Sequence, residues 1–139
     1  MIRLLDLLFE YDENATMQAS SEINSIQVEG LKKLHTVPKI IRNKTILKKV
    51  SLIAPELLDV VEIKELVIDP AYQGKGVGST ILTKIAEVAD KHKVSLYLEA
   101  VPIGNKPLSV HQLVDLYKKF GFGLLVYGKR PIMLRKPNT

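Results

Sequence analysis

The chain has 139 residues, enough for one domain with a real core and too few for two. Its hydrophobic fraction of 46% and charged fraction of 25% are those of an ordinary globular domain, with a formal net charge of +5. It has no cysteine, which excludes a disulfide scaffold, a thiolate zinc site and a cysteine nucleophile, and no apolar run approaches the ~18 residues of a membrane span.

Residues 1–10 fit one helical face through Leu4, Leu5, Leu8 and Phe9. Asp6 interrupts that run and no small-residue cleavage site lies beside it, so no signal peptide is expected and the cytoplasm is the default compartment. Residues 11–16 are polar and predict a loop. Residues 17–34 predict a helix through Ile23, Ile26, Leu31 and Leu34, against the propensity of Gly30, and Pro38 breaks whatever precedes it. Charge is uneven here. Residues 1–30 carry one basic side chain, Arg3, and six acidic ones, whereas residues 31–50 carry seven basic ones and no acidic one. Such a block fits nucleic acid or another acidic partner, or else a solvated face balanced by the acidic stretch before it. No aromatic residue is interleaved with the lysines for base stacking, which favours the solvated face.

Residues 45–53 and 57–68 predict strands, with a turn at 54–56. A loop with Gly74, Gly76 and Gly78 follows the second of these, and apolar residues at helical spacing, from Val77 through Ile81, Leu82, Ile85 and Val88, predict a helix over 77–91. Residues 94–101 predict a strand and 102–108 a loop. Ser109 and Gln112 form a capping-box pattern that opens a second helix, and Gly121 ends it. Strands are predicted over 122–127 and 131–135. The order from residue 57, strand, helix, strand, helix, strand, strand, is that of an α/β sheet with a right-handed parallel crossover at the glycine loop.

A strand, a glycine loop and a helix start together make an anion site, because glycine lets the backbone approach and the first N–H groups of the helix are free. The loop is not a nucleotide-triphosphate loop, which needs Gly-Lys-Ser/Thr where this chain has Gly74-Lys75-Gly76, and it lacks the Gly-x-Gly-x-x-Gly spacing of a dinucleotide site. It fits Gln-x-x-Gly-x-Gly through Gln73, Gly76 and Gly78, after the lead-in Val67-Ile68-Asp69-Pro70-Ala71-Tyr72. This resembles the acetyl-coenzyme A signature of the GNAT N-acetyltransferases. The stretch Leu96 to Val101 looks like the family's fifth strand, Leu116-Tyr117-Lys118-Lys119-Phe120-Gly121-Phe122 like its closing motif, and Met133 to Pro137 like its last strand. The match covers residues 57–137, and residues 1–56, which match poorly, fall where the family builds much of its acceptor site. Val110 stands where many members have an asparagine that helps hold coenzyme A, and Asn105 lies in an enlarged loop nearby.

The resemblance implies one GNAT-like domain over 1–139: a mixed, mostly antiparallel sheet with a central parallel strand pair, flanked by helices. It implies acetyl-CoA as cosubstrate, with its pantetheine on the open backbone of Leu66, Val67 and Ile68. Its diphosphate would lie on the loop and helix start formed by Gln73, Gly74, Lys75, Gly76, Val77, Gly78 and Ser79. A neutral amine would attack the thioester directly, which agrees with the missing cysteine. Tyr117 matches the family tyrosine that protonates the departing thiolate; otherwise it is a core tyrosine on an apolar helix face. Glu62 falls where some members carry a catalytic glutamate, and strict alternation puts it on the face of Leu66 and Ile68, with Glu65 opposite. Alternatively Glu62 is a strand carboxylate paired with Lys64 or the basic block. No metal site is expected. A homodimer is compatible with this reading; nucleic acid and membrane partners are not expected. Two rival readings are a catalytically degenerate module that binds coenzyme A and acts by interaction, and a nucleic-acid module using residues 31–50. The lysines of that block, Lys48 and Lys49 among them, are expected to favour an acceptor carrying negative charge over a polyamine.

Overall fold

The computed structural model describes residues 15–50, 57–102 and 108–138. Helix α1 covers 15–24, and the chain continues through β1 (Leu31–Ile41), α2 (Lys44–Val50), β2 (Leu58–Ile68), a single 3-10 turn (Pro70–Tyr72), α3 (Val77–His92), β3 (Ser95–Glu99), α4 (Val110–Lys118), β4 (Gly123–Val126) and β5 (Ile132–Arg135). The strands form one sheet in the order β1-β2-β3-β5-β4. Only β2 and β3 run parallel; every other pairing is antiparallel. The expected mixed sheet with one central parallel pair is therefore present, and α3 makes the crossover. Among the described residues no helix is long and apolar enough to cross a membrane.

Alternate residues of each strand feed two cores. On one face Val61, Ile63, Leu96, Leu98 and Met133 pack against Ile81, Leu82, Ile85 and Ala89 of α3 and against Ala19 and Ile23 of α1. On the other face Ile41, Val60, Tyr97 and Leu134 pack against Ile46, Leu47 and Val50 of α2. The first cluster is the larger, and α4 joins it through Val114.

From residue 57 onward the elements follow the sequence closely. Ser109 and Gln112 make the reciprocal capping box, with Gln112 N–H donating to Ser109 Oγ (3.2 Å) and Ser109 N–H to Gln112 Oε1 (2.8 Å). Gly121, at φ 93°, takes the left-handed position after α4. Arg135 ties the far end of the sheet to both helices: its guanidinium grips Asp90 of α3 with two bonds of 2.8 and 3.1 Å and donates to Phe120 O at 2.7 Å. That guanidinium holds the Asp90 carboxyl below its usual range, against the opposing effect of burial.

The first third departs from the sequence reading in three places. Of the strand expected over 45–53, residues 51–53 lie outside the described residues, and 45–50 belong instead to helix α2. Asn43 starts it by accepting from Thr45 N–H (2.9 Å) and Ile46 N–H (3.3 Å), and Ile46, Leu47 and Val50 then cover the smaller core. The cap and that apolar spacing outweigh the strand propensity of Thr45, Ile46 and Val50. The helix expected over 17–34 ends at 24, so residues 15 and 16 are helical rather than loop, and 31–34 belong to β1. Pro38 does not break β1 but sits within it, opposite Val61. β1 is one of the two outer strands of the sheet, where a missing N–H on the free edge breaks no ladder bond. Two residues away, the outward-facing groups of Thr36 are met by a side chain instead of a strand: its N–H donates to Asn24 Oδ1 (2.7 Å) and its carbonyl accepts from Asn24 Nδ2 (3.0 Å). Asn24 and Ser20, which donates to the same carbonyl at 3.0 Å, fix α1 to the free edge. The predicted helix 1–10, the turn 54–56 and most of the loop 102–108 lie outside the described residues.

Candidate active site

The parallel ladder between β2 and β3 is short. It pairs Val60 with Ser95, Val61 with Leu96 and Glu62 with Tyr97, and there it stops, although β2 runs on to Ile68 and β3 to Glu99. Among the described residues β2 is paired beyond Glu62 only on its β1 side, and β3 beyond Tyr97 only with β5. The two strands thus separate into a cleft whose one wall is the unpaired β2 edge, including Leu66, Val67 and Ile68, with its backbone groups open to a ligand.

A bulge shapes this wall. Between the pairs Thr36–Ile63 and His35–Glu65, β2 advances two residues while β1 advances one, leaving Lys64 as the extra residue. The bulge reverses the alternation. Leu66 and Ile68 therefore return to the face of Val61 and Ile63, and both pack against the larger core. Strict alternation placed Glu62 with Leu66 and Ile68, and that expectation fails: Glu62 lies on the opposite face, with its cross-strand neighbour Tyr97, and Glu65 joins that face as well.

At the end of the β2 wall Asp69 accepts from Ala71 N–H (2.9 Å) and starts the 3-10 turn. The turn is docked by Gly30, whose carbonyl accepts from Asp69 N–H at 2.8 Å. Gly30 has φ 91°, and a Cβ there would lie 2.7 Å from the Tyr72 ring, so no other residue fits. Gln73 is extended, Gly74 has φ 78°, and Gly76, at φ 80°, is the N-cap of α3. A Cβ on Gly74 or Gly76 would touch nothing within 4 Å, so these two glycines are required by backbone conformation, with open space above them. The first helical bonds run from Thr80 back to Gly76 O, which leaves the N–H groups of Val77, Gly78 and Ser79 without an intrahelical acceptor. No acidic residue occupies this first turn, and Lys75 is exposed, its Nζ 5.7 Å from the centre of the Tyr72 ring. Free N–H groups, the positive helix pole and a lysine make a place for an anion. Gly78 allows α3 to press on the wall, since a Cβ there would stand 3.1 Å from Ile68 Cδ1.

Tyr117 sits on α4, half-buried against the larger core that also receives Leu66, Ile68 and Val77. Its ring meets Phe122 edge-on at 5.6 Å, and its hydroxyl makes no hydrogen bond among the described residues. Burial pushes this phenol above its usual value. Val110 is half-buried in the same core, and Asn105 lies outside the described residues.

Glu62 stands at the apex of the cleft, 7% exposed. Its Oε1 is 3.3 Å from Lys64 Nζ and 3.5 Å from Lys39 Nζ. Lys39 in turn lies 4.5 Å above the centre of the Tyr97 ring. The strand-carboxylate pairing with Lys64 is thus present, but the position is the last rung before the strands part. Lys39 and Tyr97 were not singled out from the sequence. Reading residues 31–41 as a strand would have placed Lys39 beside Glu62, but the lysines obscured that pattern. Two other lysines of the basic stretch are engaged elsewhere: Lys33 pairs with Glu65 at 2.9 Å, and Lys49 donates to Leu125 O at 2.7 Å. The three histidines are apart, and among the described residues no cluster of three or more metal-binding side chains exists. A cavity of about 360 Å³, lined by Thr16, Met17, Pro38, Lys39, Ile40 and Asp59, lies between α1 and the start of β2, at the other end of that strand from the glycine loop.

A mixed sheet whose one parallel pair parts beside a glycine loop and helix start is the arrangement of the acetyltransferase (GNAT) fold. The family model of the acetyltransferase (GNAT) family matches residues 50–122, just over half of the chain. The chain belongs to that family. No curated protein matches it. Among solved structures it is similar to a bacterial toxin, with TM-score 0.58 and 16% identity over 74% of this chain and 57% of that one. It is also similar to the Bacillus subtilis N-acetyltransferase YlbP, solved in complex with coenzyme A (TM-score 0.43, 15% identity, 75% and 60% of the two chains). A third is a Corynebacterium glutamicum protein described as histone acetyltransferase HPA2 and related acetyltransferase (TM-score 0.45, 16% identity, 91% and 77%). At 16% identity the likeness to the toxin is one of fold, and the chain spans well under two thirds of the toxin's length.

Proposed function

We propose that this chain is an N-acetyltransferase that moves the acetyl group of acetyl-CoA directly onto a primary amine. The observation that carries the proposal is the coincidence, at one end of β2, of the unpaired edge 63–68 with the glycine loop and free N–H groups of α3. The edge suits the amide groups of pantetheine, through Leu66, Val67 and Ile68. The loop, from Gln73 to Ser79, suits the diphosphate. In the reaction the amine nitrogen forms a bond to the thioester carbonyl carbon, the C–S bond breaks, and one proton leaves nitrogen while another reaches sulfur. Tyr117 supplies the second proton: burial keeps its phenol protonated, and its hydroxyl is not spent on another bond. Glu62 receives the first. Its carboxylate lies within 3.3 Å of Lys64 Nζ and 3.5 Å of Lys39 Nζ.

The test is release of free coenzyme A from acetyl-CoA in the presence of a panel of amines and lysine peptides. Thiol release with at least one acceptor, with acetylated product seen by mass, is the expected result. Binding of acetyl-CoA without release across the whole panel would instead favour a module that binds the cosubstrate and acts by interaction. Glu62→Gln should lower turnover with little change in KM for acetyl-CoA, because the variant keeps the shape of the side chain and loses the proton acceptor. Unchanged turnover would remove Glu62 from the mechanism and leave water as the acceptor of the amine proton.

A further inference from the structure

We infer that Lys39 and Lys64 make this an enzyme for amines that carry a carboxylate or phosphate close to the reacting nitrogen. The inference rests on the acetyltransferase reading and concerns the acceptor side of the same cleft. The face of the sheet that Glu62 shares with Tyr97 is covered by α2 only over its lower half, around Val60, Tyr97 and Leu134. Toward the opening of the cleft, β1 to β3 present on it Lys33, His35, Glu62, Glu65 and Glu99, with Lys39 and Lys64 converging on Glu62.

The carboxylates there are already matched. Glu65 is held by Lys33 at 2.9 Å, and Glu99 lies 3.8 Å from Arg130. Glu62 has two lysines within 3.5 Å of its carboxylate. One carboxylate cannot neutralise two ammonium groups, so the apex of the cleft carries surplus positive charge. Lys39 is held in place by the Tyr97 ring, and its side chain is only 36% exposed, which reduces the solvent screening of its charge. Lys64 owes its position to the bulge and is 50% exposed. An amine whose neighbouring group is anionic can set that group on these two lysines and still reach the Glu62 carboxylate. Among the described residues a polyamine meets two cations on this face, and each carboxylate there already has a cation beside it. The assignment differs from the one the basic stretch suggested: Lys49 is bound to the β4 backbone, and of that stretch it is Lys39 that reaches the apex.

The experiment compares kcat/KM for four acceptors with the same short spacer between the amine and its neighbour: β-alanine, O-phosphoethanolamine, ethanolamine and ethylenediamine. Two lysine peptides, flanked by glutamate or by lysine, extend it to protein acceptors. The anionic member of each set should lead its neutral or cationic counterpart by about tenfold or more, the worth of one charge-assisted hydrogen bond, and the lead should shrink as salt is raised. The ranking of β-alanine against O-phosphoethanolamine separates carboxylate from phosphate. Lys64→Met is read first, because the side chain is half exposed and Lys39 remains on Glu62; it should cut that lead by about tenfold, with KM for acetyl-CoA as the internal reference. Lys39→Met should do the same. Thiol release with ethylenediamine or the lysine-flanked peptide as best acceptor would overturn the inference while leaving the acetyltransferase reading intact, as would a lead that survives both substitutions. No release with any acceptor would bring down both.

Discussion

Tyr117→Phe is expected to lower kcat by ~10²- to 10⁴-fold, the usual contribution of a positioned general acid, with little change in affinity for acetyl-CoA. The substitution removes one hydroxyl and almost no volume. It keeps the edge-on contact with Phe122 and the packing against the larger core, so the fold and the cosubstrate cleft should persist. The hydroxyl makes no bond among the described residues, so its loss strands no buried partner. The sign of the pH dependence follows from burial. The active form is the protonated phenol, and its pKa is raised, so parent turnover should hold on the alkaline side to above the usual tyrosine value of about 10. Rapid-quench measurement of the chemical step separates this from slow product release. A Phe variant with an unchanged chemical step would make Tyr117 a core residue and nothing more.

Gly76→Val is expected to abolish acetyl-CoA binding in a protein that still folds. Gly76 caps α3 at φ 80°, a conformation that a β-branched residue adopts only at a cost of about 1–2 kcal/mol or more. No neighbour lies within 4 Å of the new Cβ, so the core is not disturbed. The side chain would instead fill the open space above the loop, and the strained cap would turn the N–H groups of Val77, Gly78 and Ser79 away from a common focus. Circular dichroism should show the parent's helix content, and titration calorimetry should show no heat with acetyl-CoA. A Val variant that binds acetyl-CoA as the parent does would remove the loop from the site.

The half of the chain that forms the cosubstrate side was legible because its signals are local. Gly74 and Gly76 announce two left-handed residues, and both have positive φ; Ser109 and Gln112 announce a cap, and both halves of it form. The acceptor side was less legible because its determinants are tertiary. Residues 31–41 carry polar side chains on both faces, since one face meets the glutamates of β2 and the edge meets Asn24 and Ser20. No period of two stood out, and Pro38 read as a break. For 44–50, the β-branched Thr45, Ile46 and Val50 favour a strand locally, and the Asn43 cap turns them into a helix. The bulge at Lys64 has no signature in the local sequence. It arises from pairing with β1, and one extra residue was enough to invert which face Glu62 shares with Leu66. Sequence patterns locate groups along a strand, but a register irregularity decides which way they point.

The most direct measurement is the melting temperature of the parent protein as a function of acetyl-CoA, beside NAD and ATP as other phosphate-bearing ligands. A cosubstrate that binds only the folded chain stabilises it by about 2.7 kcal/mol at one hundred times its dissociation constant, a shift on the order of 10 °C for a domain of this size. A saturable rise with acetyl-CoA and with coenzyme A, and a smaller one with NAD or ATP, is the predicted result. A melting temperature that does not move at millimolar acetyl-CoA would contradict the assignment of the splayed strands and glycine loop as its site.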